Sequence, residues 1–514
     1  MGGRLPAFVR VNEHSRYRCL EALPGACVWL TLVGAVAAAW LAPLWALGFV
    51  LLFDVYWVIR VLYVMSYLVL AYRQYRQAAT VDWLKKVQGI ADWERVVHLI
   101  VVPTYHESED VLRDTLGSLL AVRYPHQNLI VVLATEERDA VNIRPISERL
   151  RRQYAAAFRA MLVTEHPADI NGEIAGKGAN IAWAGRQAQR YIDQAGIPYR
   201  QVIVSTFDAD SIAHPQYFSY LTYAFLTHPD RYHTSYQPIP LFHNNVWDAL
   251  ALMRVVATST TFWLLGEAMR PDRLFTFSSH SMPLTALVDV GFWQTDVVSE
   301  DSRIFLQCLI RYDGHYAVTP MFIPISMDTI QAPSIWRSLV NQYKQIRRWA
   351  YGVENFPFMA WNFLSNPAMP RWTKARHLWN QFEGTYSWAT APLLIGLLGW
   401  LPFQFDHPSL AHSILAQNAP VVLQRLMLGA MVGLAVSAVI STAMLPRPTR
   451  AVRWYQWVMM VGQWIFLPIT MIVFGSLPAI EAQTRLMVGK YLGFWVSEKR
   501  LQGAQSNTAP INPG

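Results

Sequence analysis

Gln201-Val202-Ile203-Val204-Ser205-Thr206-Phe207-Asp208-Ala209-Asp210-Ser211 sets a β-branched run directly against a pair of carboxylates. Gln201–Thr206 reads as a buried strand, and the two acids fall at its carboxyl end. Ligands of parallel sheets gather beyond the carboxyl ends of the strands, so position as well as residue type singles out Asp208 and Asp210. Carboxylates at i and i+2 can share a hard divalent cation with a diphosphate. Asp-x-Asp is also common by chance, so the pair carries weight only in company.

Outward from this strand, residues 95 to about 350 keep one rhythm. Val96–Val102, Leu129–Leu133 and Ala317–Ile323 are short apolar runs, with helix-length amphipathic stretches between them, the first from about Asp110. Strands alternating with helices predict a mostly parallel sheet covered on both faces, an α/β domain.

Four further motifs lie in this domain. Val101-Val102-Pro103-Thr104-Tyr105-His106-Glu107-Ser108 runs from a strand into a loop. Ser108 can cap the next helix, with Glu109 and Asp110 favourable in its first turn. Tyr105 could contact a flat base, and Glu107 could accept hydrogen bonds from base or ribose; the plain alternative is a strand–loop–helix junction. Gly176-Lys177-Gly178-Ala179-Asn180 precedes a helix over Ile181–Arg190, so glycines would let backbone approach a phosphate beside a lysine. It lacks the spacing and the Ser/Thr of a P-loop. Ser299-Glu300-Asp301 opens the helix Ser302–Ile310. Such a pair either compensates the helix dipole or supplies a carboxylate base. In Gln345-Ile346-Arg347-Arg348-Trp349, residues 345, 348 and 349 share one helix face. Arg348 could grip a diphosphate and Trp349 could offer a platform to a sugar, or the segment is a membrane-surface helix with basic and aromatic anchors.

The remainder of the chain is apolar. Its 514 residues are 53% hydrophobic and 15% charged, with 21 Trp. Soluble domains carry about 25% charged residues, so the balance indicates a membrane protein. The net charge of +8 then belongs to cytoplasmic loops, not to nucleic-acid binding. Cys19, Cys27 and Cys308 form neither a disulfide framework nor a zinc site. Arginines 4, 10, 16 and 18 precede a long apolar run without a small-residue cleavage site, which reads as an uncleaved anchor.

The expected organisation is a cytosolic segment (1–27), two spans (28–72) turning near Pro43 or Gly48, a catalytic domain (95–355) and two more spans (378–445), namely Phe382–Leu401 and Val421–Met444. Basic flanks, a loop Pro402–Pro420 free of Lys and Arg, and Arg447, Arg450 and Arg453 beyond it place both ends of each hairpin in the cytoplasm. Trp454–Leu477 is apolar but holds Pro468 and precedes Arg485, Lys490, Lys499 and Arg500. A broken interfacial helix over 454–482 is favoured over a fifth span. Residues 502–514 read as a disordered tail.

In order and rough spacing the five motifs resemble family 2 glycosyltransferases, most of all the membrane-integrated bacterial cellulose, hyaluronan and chitin synthases. The likeness covers residues 95–355. It implies a GT-A-type α/β domain joined to transmembrane and interfacial helices in the bacterial inner membrane, with the catalytic domain cytosolic. It also implies a nucleotide-sugar donor with Mg2+ or Mn2+, and a glycan or lipid-linked acceptor. Thr104, Tyr105, Glu107 and, in place of an Asp-rich turn, Glu136 would surround the nucleoside. Lys177 and Asn180 would lie near the diphosphate, with Asp208 and Asp210 holding the metal. Asp301, beside Glu300, would be the base. Gln345, Arg348 and Trp349 would meet acceptor and diphosphate. Phe494-Trp495-Val496-Ser497-Glu498-Lys499 is similar to a gating loop, which gives Lys499 a nucleotide contact in the segment 483–501. Ser278-Ser279-His280-Ser281 falls where an acceptor terminus would sit. No cyclic-di-GMP receptor domain is expected. The activity implied is inverting transfer onto a growing polysaccharide, possible export included; the alternative is a non-processive enzyme adding one or a few sugars to a lipid or glycan, with UDP and GDP both open as the nucleotide.

Overall fold

The computed structural model describes residues 13–405, 407–446 and 453–493. Its centre is an eight-stranded sheet: β1 (Val97–Pro103), β2 (Leu129–Glu136), β3 (Ala160–His166), β4 (Val202–Thr206), β5 (Ile212–Ala213), β6 (Thr234–Phe242), β7 (Ser281–Pro283) and β8 (Ala317–Met327), in the order β3-β2-β1-β4-β7-β6-β8-β5. Side chains alternate across β1, β2 and β4. Leu99, Val101, Ile130, Val132 and Val204 pack on one face against the helix Lys177–Gln194 and Ile304–Leu309. Ile100, Val102, Val131, Leu133 and Ile203 pack on the other against Leu112, Leu116 and Phe218. Both faces are covered, which is why these strands read as continuous apolar runs.

Parallel pairing holds for β3, β2, β1 and β4. Beyond β4 the sheet is mixed. β7 runs antiparallel to β4 and β6, and β5 antiparallel to β8, while β6 and β8 are parallel. The expectation of a mostly parallel sheet holds, since the four long ladders are parallel and only the short pairings of β7 and β5 are antiparallel. The sequence hid β6 because Pro238 and Pro240 break its pattern; the register shifts between Pro238 and Ile239, the irregularity that lets a strand carry proline.

Among the described residues, four helical stretches are long and apolar enough to cross a membrane: His14–Leu41, Pro43–Thr80, Ile414–Met444 and Trp454–Met487. Pro43 starts the second, as a residue without an N–H can at a helix's first position. Its 38 residues span about 57 Å, well beyond a hydrocarbon core of about 30 Å. The surplus reaches the catalytic domain, where Leu68 and Ala71 pack with Ile239 and Leu241 of β6. The expected span Phe382–Leu401 has a different outline. The helix there is Arg371–Gly396, its first half carries Arg371, Lys374, Arg376 and Glu383, and 3-10 turns follow over Leu398–Gln404; it is not among the four. Trp454–Met487 is irregular, with a 3-10 turn at Gln463–Phe466 before Pro468 and a π turn at Ile472–Ser476, and its last turns carry Glu481 and Arg485.

The apolar helices seat closely. A Cβ on Gly25 would lie 2.8 Å from the Gln483 carbonyl, and one on Gly433 would lie 2.7 Å from Val61. Arg18 ties the first helix to the last by donating to the carbonyls of Leu486 (3.2 Å) and Met487 (2.9 Å).

Burial holds His98 of β1 and His214 neutral, pushing their imidazoles down to about 3 and about 4 from 6.5. The unfolded chain takes up these protons first, so the stability at stake is present above pH 6.5 and is lost as pH falls toward the folded values, by ~1.4 kcal/mol per pH unit for each group. The melting temperature of the detergent-solubilised protein should drop between pH 6.5 and 5. His98→Asn should make that drop shallower; an unchanged slope would show that His98 does not drive it.

Candidate active site

The ends of β1, β2 and β4 open onto a cavity of about 1710 Å³ that continues among the apolar helices. Its centre is an ion cluster. Lys177 Nζ lies 2.8 Å from Asp208 Oδ1, 2.9 Å from Asp301 Oδ2 and 3.7 Å from Glu300 Oε1. Three elements meet there: the turn after β4, the first residue of the helix Lys177–Gln194, and the first turn of the helix Glu300–Arg311. Gly178 permits the approach, since a Cβ there would stand 3.1 Å from both Glu300 Cβ and the Gln294 carbonyl.

Burial alone would lower the Lys177 ammonium, but Asp208, Asp301 and Glu300 outweigh it and hold the pKa above the ordinary lysine value. Glu300 moves the other way. Burial first, then the neighbouring Asp301 charge, push its carboxyl up to about 8, against the pull of Lys177 and Arg348. Asp301 is the more exposed of the two acids, at 21% against 1% for the Glu300 side chain. Glu300 therefore lies buried behind the more exposed Asp301. Thr276 Oγ1 fixes the turn by donating to the Asp301 carbonyl at 2.6 Å.

The two aspartates after β4 are held differently. Ser278 Oγ donates to Asp208 Oδ2 at 2.7 Å, and the Asp328 N–H donates to Asp210 Oδ2 at 3.0 Å. Among the described residues no three or more His, Cys, Asp or Glu are grouped to hold a metal. Asp208 and Asp210 supply hard oxygen donors that suit Mg2+ or Mn2+ only when a ligand's oxygens complete the shell. An ammonium already 2.8 Å from Asp208 marks that carboxylate as a cation position.

Of the residues singled out from sequence, Thr104, Tyr105, Glu107, Glu136, Lys177, Asn180, Asp208, Asp210, Glu300, Asp301, Gln345, Arg348 and Trp349 all line this one cavity. Lys499 and the Phe494–Lys499 segment lie outside the described residues. The helical-face reading of Gln345, Arg348 and Trp349 holds, since Arg347 points elsewhere, to Glu481 Oε1 at 2.6 Å. Asn180 is almost fully buried and donates to the Ala134 carbonyl at the end of β2 at 2.9 Å. Glu136 is buried and engaged by the Arg138 guanidinium, whose Nε lies 2.9 Å away.

Arg138 is the residue sequence reasoning passed over. Its guanidinium covers the Tyr105 ring at 4.6 Å from the centroid, and both residues line the cavity where β1 and β2 end. Its signal was the i, i+2 spacing from Glu136 at a strand end. His106 was likewise missed. It sits at φ 61° and is pinned by Asp139, which accepts its N–H at 2.9 Å and lies 2.9 Å from its Nδ1. The stretch Ser278–Ser281 is mostly foundation, since Ser278 lines the cavity but Ser279, His280 and Ser281 are buried beneath it.

Residues 97–254 match the profile of a family described as "Glycosyltransferase like family 2". The chain carries a glycosyltransferase domain. The match runs from β1 past β6 and includes Lys177, Asp208 and Asp210, while Asp301 and Gln345–Trp349 lie beyond it. No curated protein matches the chain. Solved structures similar to it include the mannosyltransferase PcManGT from Pyrobaculum calidifontis in complex with GDP-Man and Mn2+, at 14% identity, TM-score 0.37, covering 80% of this chain and 99% of that one. S. aureus TarS 1–349 is similar at 11% identity, TM-score 0.34, with 73% and 91% covered, and its complex with UDP-GlcNAc at 12% identity, TM-score 0.35, with the same coverage. Overlaps this loose leave the assignment of the glycosyltransferase domain to the profile match and the sheet.

Because Glu300 keeps its proton at neutral pH, the stability it lends is present below the ordinary carboxylate value of 4.5 and declines as pH rises toward about 8. Glu300→Gln, which has no proton to lose, should melt at or above the wild-type temperature at pH 8. A clear loss of stability in that variant would mean the carboxylate, not the acid, is the native form.

Proposed function

We propose that the chain transfers a sugar from a nucleotide-sugar to an acceptor hydroxyl at the membrane, by a single displacement with inversion. The observation that carries this reading is the convergence of Asp208, Asp301 and Lys177 in a cavity that also runs among apolar helices. Asp301 takes the proton of the acceptor hydroxyl. The acceptor oxygen bonds to the anomeric carbon as the bond to the diphosphate breaks, so an α-linked donor gives a β-linked product. Arg348 balances the charge of the departing diphosphate. Lys177 lies between the two aspartates, and its ammonium can pass to the diphosphate as negative charge develops there. Asp208 and Asp210 would hold Mg2+ or Mn2+, which supplies Lewis-acid charge at the diphosphate when bound.

The nucleoside fits the end lined by Thr104, Tyr105, Glu107 and Glu136, with Arg138 stacked on Tyr105. Gln345 and Trp349 face the acceptor side. Asn180 would lie near the diphosphate, its Nδ2 tying down the end of β2. The family match and the apolar helices support an enzyme of the membrane-integrated type in the bacterial inner membrane, catalytic domain in the cytosol. A growing polysaccharide, extended at the site and exported, suits a cavity that runs from the strand ends in among the apolar helices. A lipid-linked acceptor receiving one or a few sugars is the second reading, favoured by the arginines at the cavity's membrane end.

Asp301→Asn should lower transfer by about 10² to 10⁴, the range of general-base catalysis, while nucleotide binding persists. Near wild-type turnover would remove Asp301 from that role. Incubating the protein in lipid with labelled UDP- and GDP-sugars and Mg2+ or Mn2+, then sizing the products, separates the acceptors: a long polymer selects the first reading, short or lipid-soluble products the second.

A further inference from the structure

The membrane end of the cavity carries an ion network outside the donor site. Arg60, in the middle of the helix Pro43–Thr80, pairs with Glu383, which also lies 3.4 Å from Arg273. Glu267 lies 3.0 Å from Arg270 and 3.9 Å from Arg273. Three arginines thus face two glutamates, a surplus of one positive charge, and Asp272 nearby is exposed to solvent. All three arginines and Glu267 line the cavity while Glu383 stands behind them. Arg273 Nε is buried and makes no hydrogen bond. Arg60 stands in a helix apolar enough to cross a membrane, where an ionisable group is costly and points to a function.

The setting indicates the ligand. Trp57 and Trp263 line the cavity beside the arginines, while Tyr56, Ile59 and Tyr63, flanking Arg60 on the same helix, are exposed on an apolar surface. An amphiphile could keep its tail on that surface and its head in the cavity. Arg273 also sits on the segment whose Thr276 and Ser278 hold Asp301 and Asp208. Five residues of chain reach at most about 18 Å, so the Arg273 backbone lies within that distance of the Ser278 backbone beside Asp208.

We propose that Arg60, Arg270 and Arg273 bind the phosphate of a lipid-linked acceptor and hold its sugar-accepting end toward Asp301. This rests on the glycosyl-transfer reading above. Guanidinium groups suit a phosphate through paired charge-assisted hydrogen bonds, and the surplus charge matches one anion.

The test uses full-length protein in phosphatidylcholine nanodiscs containing a minor fraction of phosphatidic acid or of diacylglycerol, with retained lipid counted by mass spectrometry after detergent extraction. Phosphatidic acid should be enriched on the protein and diacylglycerol should not. Arg273→Gln should cut that enrichment about tenfold, the effect of losing one charge-assisted hydrogen bond, while Arg273→Lys retains most of it. Glu267→Gln should increase it, a gain that misfolding does not produce. Equal retention of the two lipids, or an unaltered Arg273→Gln, overturns the proposal. Displacement of phosphatidic acid by inorganic phosphate alone would overturn the lipid assignment, leaving a site for free phosphate. UDP and GDP binding measured on the same samples keeps the two readings apart: normal binding of either nucleotide without lipid discrimination rejects only the lipid site, whereas binding of neither rejects the glycosyl-transfer reading beneath it.

Discussion

One ammonium group organises the catalytic domain. Lys177 is nearly buried among Asp208, Asp301 and Glu300, and without it acids from two distant parts of the chain would face one another with no ammonium between them. Like charges that close repel strongly where water is scarce. Only because the first residue of the helix Lys177–Gln194 delivers a positive charge can the turn after β4 and the turn at Glu300 meet. The architecture around it serves that meeting, from the glycine at 178 that admits Glu300 to the β2 carbonyl that Asn180 clamps.

The sheet divides into two halves with different work. The parallel half, β3-β2-β1-β4, aligns strand ends so that Thr104, Glu136 and Asp208 open on one side. The mixed half joins the domain to the apolar helices, for β6 meets Leu68, Ala71, Phe262 and Trp464 in a shared core. A strand with two prolines suits that position, since its irregular register lets a packing surface bend toward a helix bundle. The cavity follows the same division: carboxylates dominate where strands end, arginines and tryptophans where helices close it.

Much of the donor half was legible in the sequence because local patterns carried it. β1, β2, β4 and β8 announced themselves as apolar runs, and the motif residues at their ends do share one cavity. Roles that depend on orientation were less legible. Asn180 reads as a ligand contact by motif, yet its Nδ2 is engaged by a backbone carbonyl and only its Oδ1 is left without a partner. Glu136 reads as a base contact, yet it is held by Arg138, whose own position over Tyr105 no spacing rule states outright.

The sequence by itself determined the α/β domain, the long apolar helices and the set of acids and bases available, because periodicity and composition are properties of neighbours along the chain. Only the tertiary structure decided which of those charges meet. Arg60 and Glu383 are far apart in sequence, as are Lys177 and Asp301, and their pairing follows from where the sheet and the apolar helices come to rest. The different settings of Glu300 and Asp301, adjacent in the chain, arise the same way: one side chain turns into the protein, where burial raises its carboxyl above the ordinary value, and the other toward the cavity.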